Sequence, residues 1–169
     1  DAQCAAAVEA VRAGGAVHGL VNNAGANDGV GLGAGPAAFR ASLSQNLVHY
    51  YTMVHLLADD LRASRGAIVN ISSKTAVTGQ GGTSAYVAAK HGLLGLTKTA
   101  AMEYAQQGIR VNAVGPAFID TPLLSANLSS EVMEGLAALH PMGRIGKPAE
   151  VSALTCFLLS NRASFITGS

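Results

Sequence analysis

Short apolar runs alternate with longer amphipathic stretches along this chain, and the alternation predicts its architecture. Residues 17–21, 67–71 and 109–114 are mostly apolar and rich in Val and Ile. Runs of five or six such residues read as strands buried on both faces. Helical patterning spans residues 1–12, 36–63, 83–107 and 148–160. Asp1 is the expected N-cap of the first helix, and Gly14 and Gly15 end it. Pro36 opens the second, where the first turn tolerates proline. Residues 115–147 carry Pro116, Pro122 and Pro141 and read as a mobile pair of short helices. Residues 165–168 lead toward a further strand. Strands that alternate with helices in this way predict βαβ units, hence an α/β fold with a parallel sheet covered on both faces. No repeat or low-complexity linker divides residues 1–169, so one domain is expected. The chain opens directly into a helix without Met and stops as a strand falls due, so both ends read as cut inside a fold.

Composition narrows the partners. Eleven basic against ten acidic residues give a net charge of +1, with no basic block. Nucleic acid and anionic membrane are therefore poor partners. No apolar stretch approaches the ~18 residues of a membrane span, and no signal peptide is expected. Cys4 and Cys156 are far apart and suit a reducing cytoplasm, read as two small buried hydrophobes. The five histidines lack metal-ligand spacing, so no metal is expected, and no G-x-S-x-G elbow is present.

The candidate chemistry centres on Tyr86 and Lys90, four residues apart, with Ser73 thirteen residues earlier. A helix stacks positions i and i+4 on one face. An ammonium beside a phenol favours the phenolate, so Lys90 is expected to lower the Tyr86 pKa. Such a tyrosine exchanges a proton with a carbinol or carbonyl oxygen. Ser73, just past the second strand, can hold that oxygen. Strand alternation is expected to turn Ser72 to the other face. Gly29, Gly31 and Ala34 fit a loose G-x-G-x-x-A. That stretch neither follows a strand directly nor opens a helix, so it reads as a loop bordering the site rather than a phosphate cradle.

These residues, together with the Asn22–Gly25 turn, Asn46, Arg110 and Asn112 around the third strand, Ile119–Thr121, Pro141–Arg144 and Phe165–Gly168, resemble the short-chain dehydrogenase/reductase family. The resemblance covers essentially the whole chain and implies a Rossmann-type doubly wound sheet, truncated at both ends. It assigns Asn46, Ser73, Tyr86 and Lys90 as catalytic, Asn46 acting through a bridging water on its carbonyl. It assigns Asn23, Ala24, Gly25, Ile71, Tyr86, Lys90, Pro116, Ala117, Ile119 and Thr121 to the cofactor, NAD or NADP. The family's residue that chooses between the two lies upstream of this chain. Substrate contacts fall to Ser73, Lys74, Gln80, Tyr86 and Ala117, the last standing where the family usually has Gly. A lid is expected at about 117–147, carrying Leu124, Leu128, Leu136 and Met142. The implied activity interconverts a secondary alcohol and a ketone, with the 72–82 loop similar to sugar and polyol dehydrogenases. A 3-oxoacyl thioester reductase and a non-catalytic NAD(P)-binding or structural member are the alternatives. Helices 36–63 and 83–107 are expected to pair copies into a homotetramer or dimer.

Overall fold

The computed structural model describes residues 2–126 and 128–169, without the side chains of Leu123 and Ser125. The expected cap Asp1 lies outside the described residues. Three strands form one parallel sheet in the order β1 (Gly19–Asn22), β2 (Ala67–Ile71), β3 (Arg110–Val114). The middle strand matches its expected limits. The outer two begin later than the apolar runs do, because Val17, His18 and Ile109 lie outside the paired ladder.

Helix α1 (Ala2–Ala13) precedes β1. Between β1 and β2 lie α2 (Gly35–Leu43) and α3 (His49–Ser64), and between β2 and β3 runs α4 (Ser84–Tyr104). The short α5 (Pro122–Ser125), α6 (Ser130–Ala138) and α7 (Pro148–Leu159) follow. One long helix was expected over 36–63. Instead, Ser44–Val48 forms a π-helical turn between α2 and α3. Apolar spacing does not resolve such a one-residue insertion, and these turns gather at functional sites.

Alternation along the strands separates two cores. Leu20, Ile68 and Val111 pack with Val8, Val54, Leu57, Leu61 and Ala100 under α1, α3 and α4. Val69 and Val114 pack against Leu158 of α7 on the opposite face. The first face also carries a buried polar chain. Asn22 donates to Asn70 (2.9 Å), Asn70 to Thr97 (2.9 Å), and Thr97 to the Leu93 carbonyl (2.8 Å). Each buried amide thereby has a partner, as the interior demands. Residues 166–169 run beside β3, with Gly168 N donating to Val111 O and Ala113 N to Ser169 O, both at 2.7 Å. Cys156 is exposed rather than buried, and Cys4 is half-buried.

Candidate active site

The chain leaves each strand of the sheet at the same end, and the site is built there, as open parallel sheets favour. After β2, Ser72 N still donates to Val114 O (2.7 Å) and Lys74 N to Pro116 O (2.9 Å). These bonds fix Ser73 opposite the start of the 115–121 segment. Asn23, Gly25, Ile71, Ser72, Ser73, Tyr86, Lys90, Pro116 and Ala117 together line a cavity of about 200 Å³. Eight of those nine were expected from the sequence. A larger cavity of about 540 Å³ shares Asn23, Ile71 and Pro116 with it and adds Val21, Ile119, Thr121 and residues of α7.

Ser73 and Tyr86 line this same cavity, and the Ser73 hydroxyl accepts from Thr75 N (3.2 Å). Lys90 is buried, and its Nζ makes no hydrogen bond to the Tyr86 hydroxyl. It donates to Ile71 O (2.9 Å) and to the Tyr50 hydroxyl (3.3 Å), and lies 5.6 Å from the centre of the Tyr86 ring. The expected charge effect on Tyr86 is therefore not what governs it. Burial raises the Tyr86 pKa, and the neighbouring Ser73 hydroxyl pulls it partly back. Burial likewise pushes Lys90 down to about 8 and Tyr50 up to about 12.

Asn46 sits in the π turn, fully buried and behind the cavity wall. Its Oδ1 accepts from Ala26 N (2.9 Å) and its Nδ2 donates to Ser42 O (3.1 Å). Gly25 presses on it closely. A Cβ at Gly25 would stand 2.8 Å from Asn46 Oδ1, with φ at +154°. Only glycine accepts both that contact and that backbone. Ala24 turns its carbonyl to His49 Nε2 (2.9 Å), tying the 23–25 loop to the start of α3.

Lys74 and Gln80 line neither cavity. Lys74 Nζ rests 4.3 Å from the centre of the Phe118 ring, which meets His140 edge-on. Gln80 is exposed, and its carbonyl accepts from Thr83. The expected lid is α5, α6 and their flanks, closed at its base where Asp120 N donates to Gly146 O and Gly146 N to Phe118 O. The 26–31 loop docks on α4 through Ala85 N to Val30 O (3.1 Å), and α2 starts only at Gly35. The strand ends at Ile71, and Ser72 joins the cavity wall with a buried hydroxyl that has no hydrogen-bond partner among the described residues. Tyr50 escaped sequence reasoning, because its turn toward Lys90 depends on the π segment.

The paired cavities join an apolar wall of Val21, Ile71, Pro116 and Ile119 to Asn23, Thr121 and Lys90. That chemistry fits a flat ring bearing an amide and ribose hydroxyls, as the nicotinamide half of NAD or NADP does. Among the described residues no group of three His, Cys, Asp or Glu is placed to hold a metal. None of the described helices is long and apolar enough to cross a membrane.

Known proteins are similar to this chain. A family model described as Enoyl-(Acyl carrier protein) reductase matches residues 1–169. Cyclohexanol dehydrogenase of Acinetobacter sp. (strain SE19) is 45% identical over 168 residues, 97% of this chain and 65% of that protein. L-fucose dehydrogenase of Mus musculus is 41% identical over 157 residues, 88% of this chain and 57% of that protein. The chain thus spans less than two thirds of both relatives. The solved structure of an oxidoreductase of the short chain dehydrogenase/reductase family from Burkholderia thailandensis is 36% identical. It superposes with a TM-score of 0.87 over 99% of this chain and 65% of that one.

Proposed function

The chain belongs to the short-chain dehydrogenase/reductase family, and on that footing we propose that the protein interconverts a secondary alcohol and a ketone with NAD or NADP. The observation that carries this reading is that Ser73, Tyr86 and Lys90 line one cavity at the strand ends. When bound, the nicotinamide exchanges hydride with the carbinol carbon. Asn23, Ala24, Gly25, Ile71, Pro116, Ala117, Ile119 and Thr121 hold that cofactor, with Lys90 on its ribose. Ser73 Oγ steadies the substrate oxygen. Tyr86, kept neutral by burial, is ready to give its proton to a ketone oxygen. Lys90 and a water held on the Asn46 carbonyl, which links Lys90 to solvent, form the path by which that proton is returned.

Ring-bearing alcohols, from cyclic alcohols to sugars, are the substrate class favoured by the relatives named above. The lid supports a second reading, reduction of 3-oxoacyl thioesters. Leu139 and Met142 are 69% and 77% exposed at its rim and suit an acyl chain. Lys74 and Gln80 contact substrate only when the lid closes over it. The protein acts in the cytoplasm as a homotetramer, or a dimer, built through the helices at 36–63 and 83–107. Val48, Tyr51 and Met102 present apolar surface there, and light scattering after size exclusion tests it.

The decisive experiment follows NAD(P)H fluorescence and turnover on cyclic alcohols, sugars and acetoacetyl thioesters, in the full-length protein and in Tyr86→Phe. The reading expects turnover to fall by about 10²-fold or more, as for loss of a general acid–base group, with cofactor binding kept. A Tyr86→Phe protein with parental turnover sinks it.

A further inference from the structure

Tyr50 heads the fully buried side chains of the described residues by size, yet its hydroxyl ends at the active site rather than in the apolar core. The hydroxyl receives a hydrogen bond from Lys90 Nζ (3.3 Å) and donates to Ile71 O (3.4 Å), while Lys90 Nζ donates to the same carbonyl (2.9 Å). Three polar groups from α3, α4 and β2 thus close a buried triangle directly behind the cavity. Its geometry depends on the π turn at Ser44–Val48, which resets the rotation of α3 just before Tyr50.

We propose that Tyr50 is a positioning residue: its hydroxyl pins the Lys90 ammonium to the end of β2 and helps keep that amine charged inside the fold. Lys90 has no ion pair among the described residues. The titratable groups that face it are Tyr50 from α3 and Tyr86 from its own helix, with ring centres 5.1 and 5.6 Å from Nζ. The facing segments after β2 and β3 offer only Ser72, Ser73, Pro116 and Ala117 at the cavity. A phenol oxygen and a carbonyl therefore do the work a carboxylate would do elsewhere. Two of the three ammonium donors are used here, which leaves one for the cavity that Lys90 lines. A tyrosine that merely filled space would need no partner at its tip, and a phenylalanine would serve.

The catalytic consequence rests on the oxidoreductase reading above; the hydrogen bond itself does not. Tyr50→Phe removes one oxygen and keeps the ring. Losing an acceptor of a charged donor lowers the lysine midpoint by about one pH unit. In 13C-lysine NMR of the full-length protein, the Lys90 signal, assigned by its loss in Lys90→Met, is expected to titrate about one unit below the parent. Turnover is expected to drop about five-fold at pH 8 and hardly at pH 6, as an alkaline limb displaced by that amount requires. Tyr104→Phe, the same change at the far end of α4, where Tyr104 packs against the core, leaves both unchanged. Site-specific 3-fluorotyrosine at position 50, a weaker acceptor of nearly the same volume, moves the midpoint in the same direction by less, and covers the case in which Tyr50→Phe unfolds. An unmoved Lys90 midpoint in Tyr50→Phe or the fluorinated protein overturns the proposal, as does a loss of turnover equal at every pH. If the parent turns over no alcohol or ketone, the oxidoreductase reading fails, and the NMR titration still decides the role of Tyr50.

Discussion

Replacing Lys90 by Met sets the cost of a buried charge against the hydrogen bonds that accompany it. Lys90 is 3% exposed, and burial brings its pKa from 10.5 to about 8. That drop corresponds to about 3 kcal/mol of disfavoured charge at neutral pH. The two bonds to Ile71 O and Tyr50 return about 1.5–3 kcal/mol of it. Methionine fills nearly the same volume, and Tyr50 keeps its own bond to Ile71 O after the change. Lys90→Met is therefore expected to match the parent or exceed it by up to about 1.5 kcal/mol at pH 7. Turnover is expected to be lost. The stability curve adds a second signature. With the folded value below the free one, the unfolded chain holds the proton that the folded chain has released between pH 8 and 10.5. Parental stability then rises with pH from about 8, by at most about 1.4 kcal/mol per pH unit. Above pH 10 the raised Tyr50 works the other way, because the unfolded phenol ionises first. The usable window is pH 8–10, and Lys90→Met should show a flatter curve across it. Urea unfolding of the full-length protein at several pH values measures both effects. A loss above about 2 kcal/mol at pH 7 would refute the reasoning, since it would mean that the ammonium is a net stabiliser of the fold, as in a broken buried ion pair.

Two further substitutions probe the frame around the site. Gly25→Ala forces a Cβ to within 2.8 Å of Asn46 Oδ1 at a φ of +154°; unfolding in denaturant is expected to show a loss of about 1–3 kcal/mol, and parental stability would contradict the close approach. Thr97→Val leaves the buried Asn70 amide without its acceptor, an expected cost of about 1–3 kcal/mol in thermal or urea unfolding, with turnover affected far less than stability.

Local rules carried the outline of this molecule. The apolar runs at 17–21, 67–71 and 109–114 and the helical stretches between them were enough for a parallel α/β sheet. Hydrophobic periodicity reports burial, and burial on both faces leaves few alternatives. The spacing of Ser73, Tyr86 and Lys90 identified the cavity wall, because a helix turn and a strand end have set geometries. Asn23, Gly25 and Pro116, which the resemblance assigned to the cofactor, line the same cavity, each just past a strand.

What lay beyond reach depended on atoms distant in sequence. Whether Lys90 spends its donors on Tyr86 or on Ile71 and Tyr50 is decided by how α3, α4 and β2 meet, and a π turn worth one residue sets that meeting. The same holds for the unpartnered Ser72 hydroxyl and for Lys74 parked on Phe118. Sequence determined which groups line up along each element. Packing alone determined which of them touch, and hydrogen bonds and desolvation, which set the pKa values here, act only across such contacts.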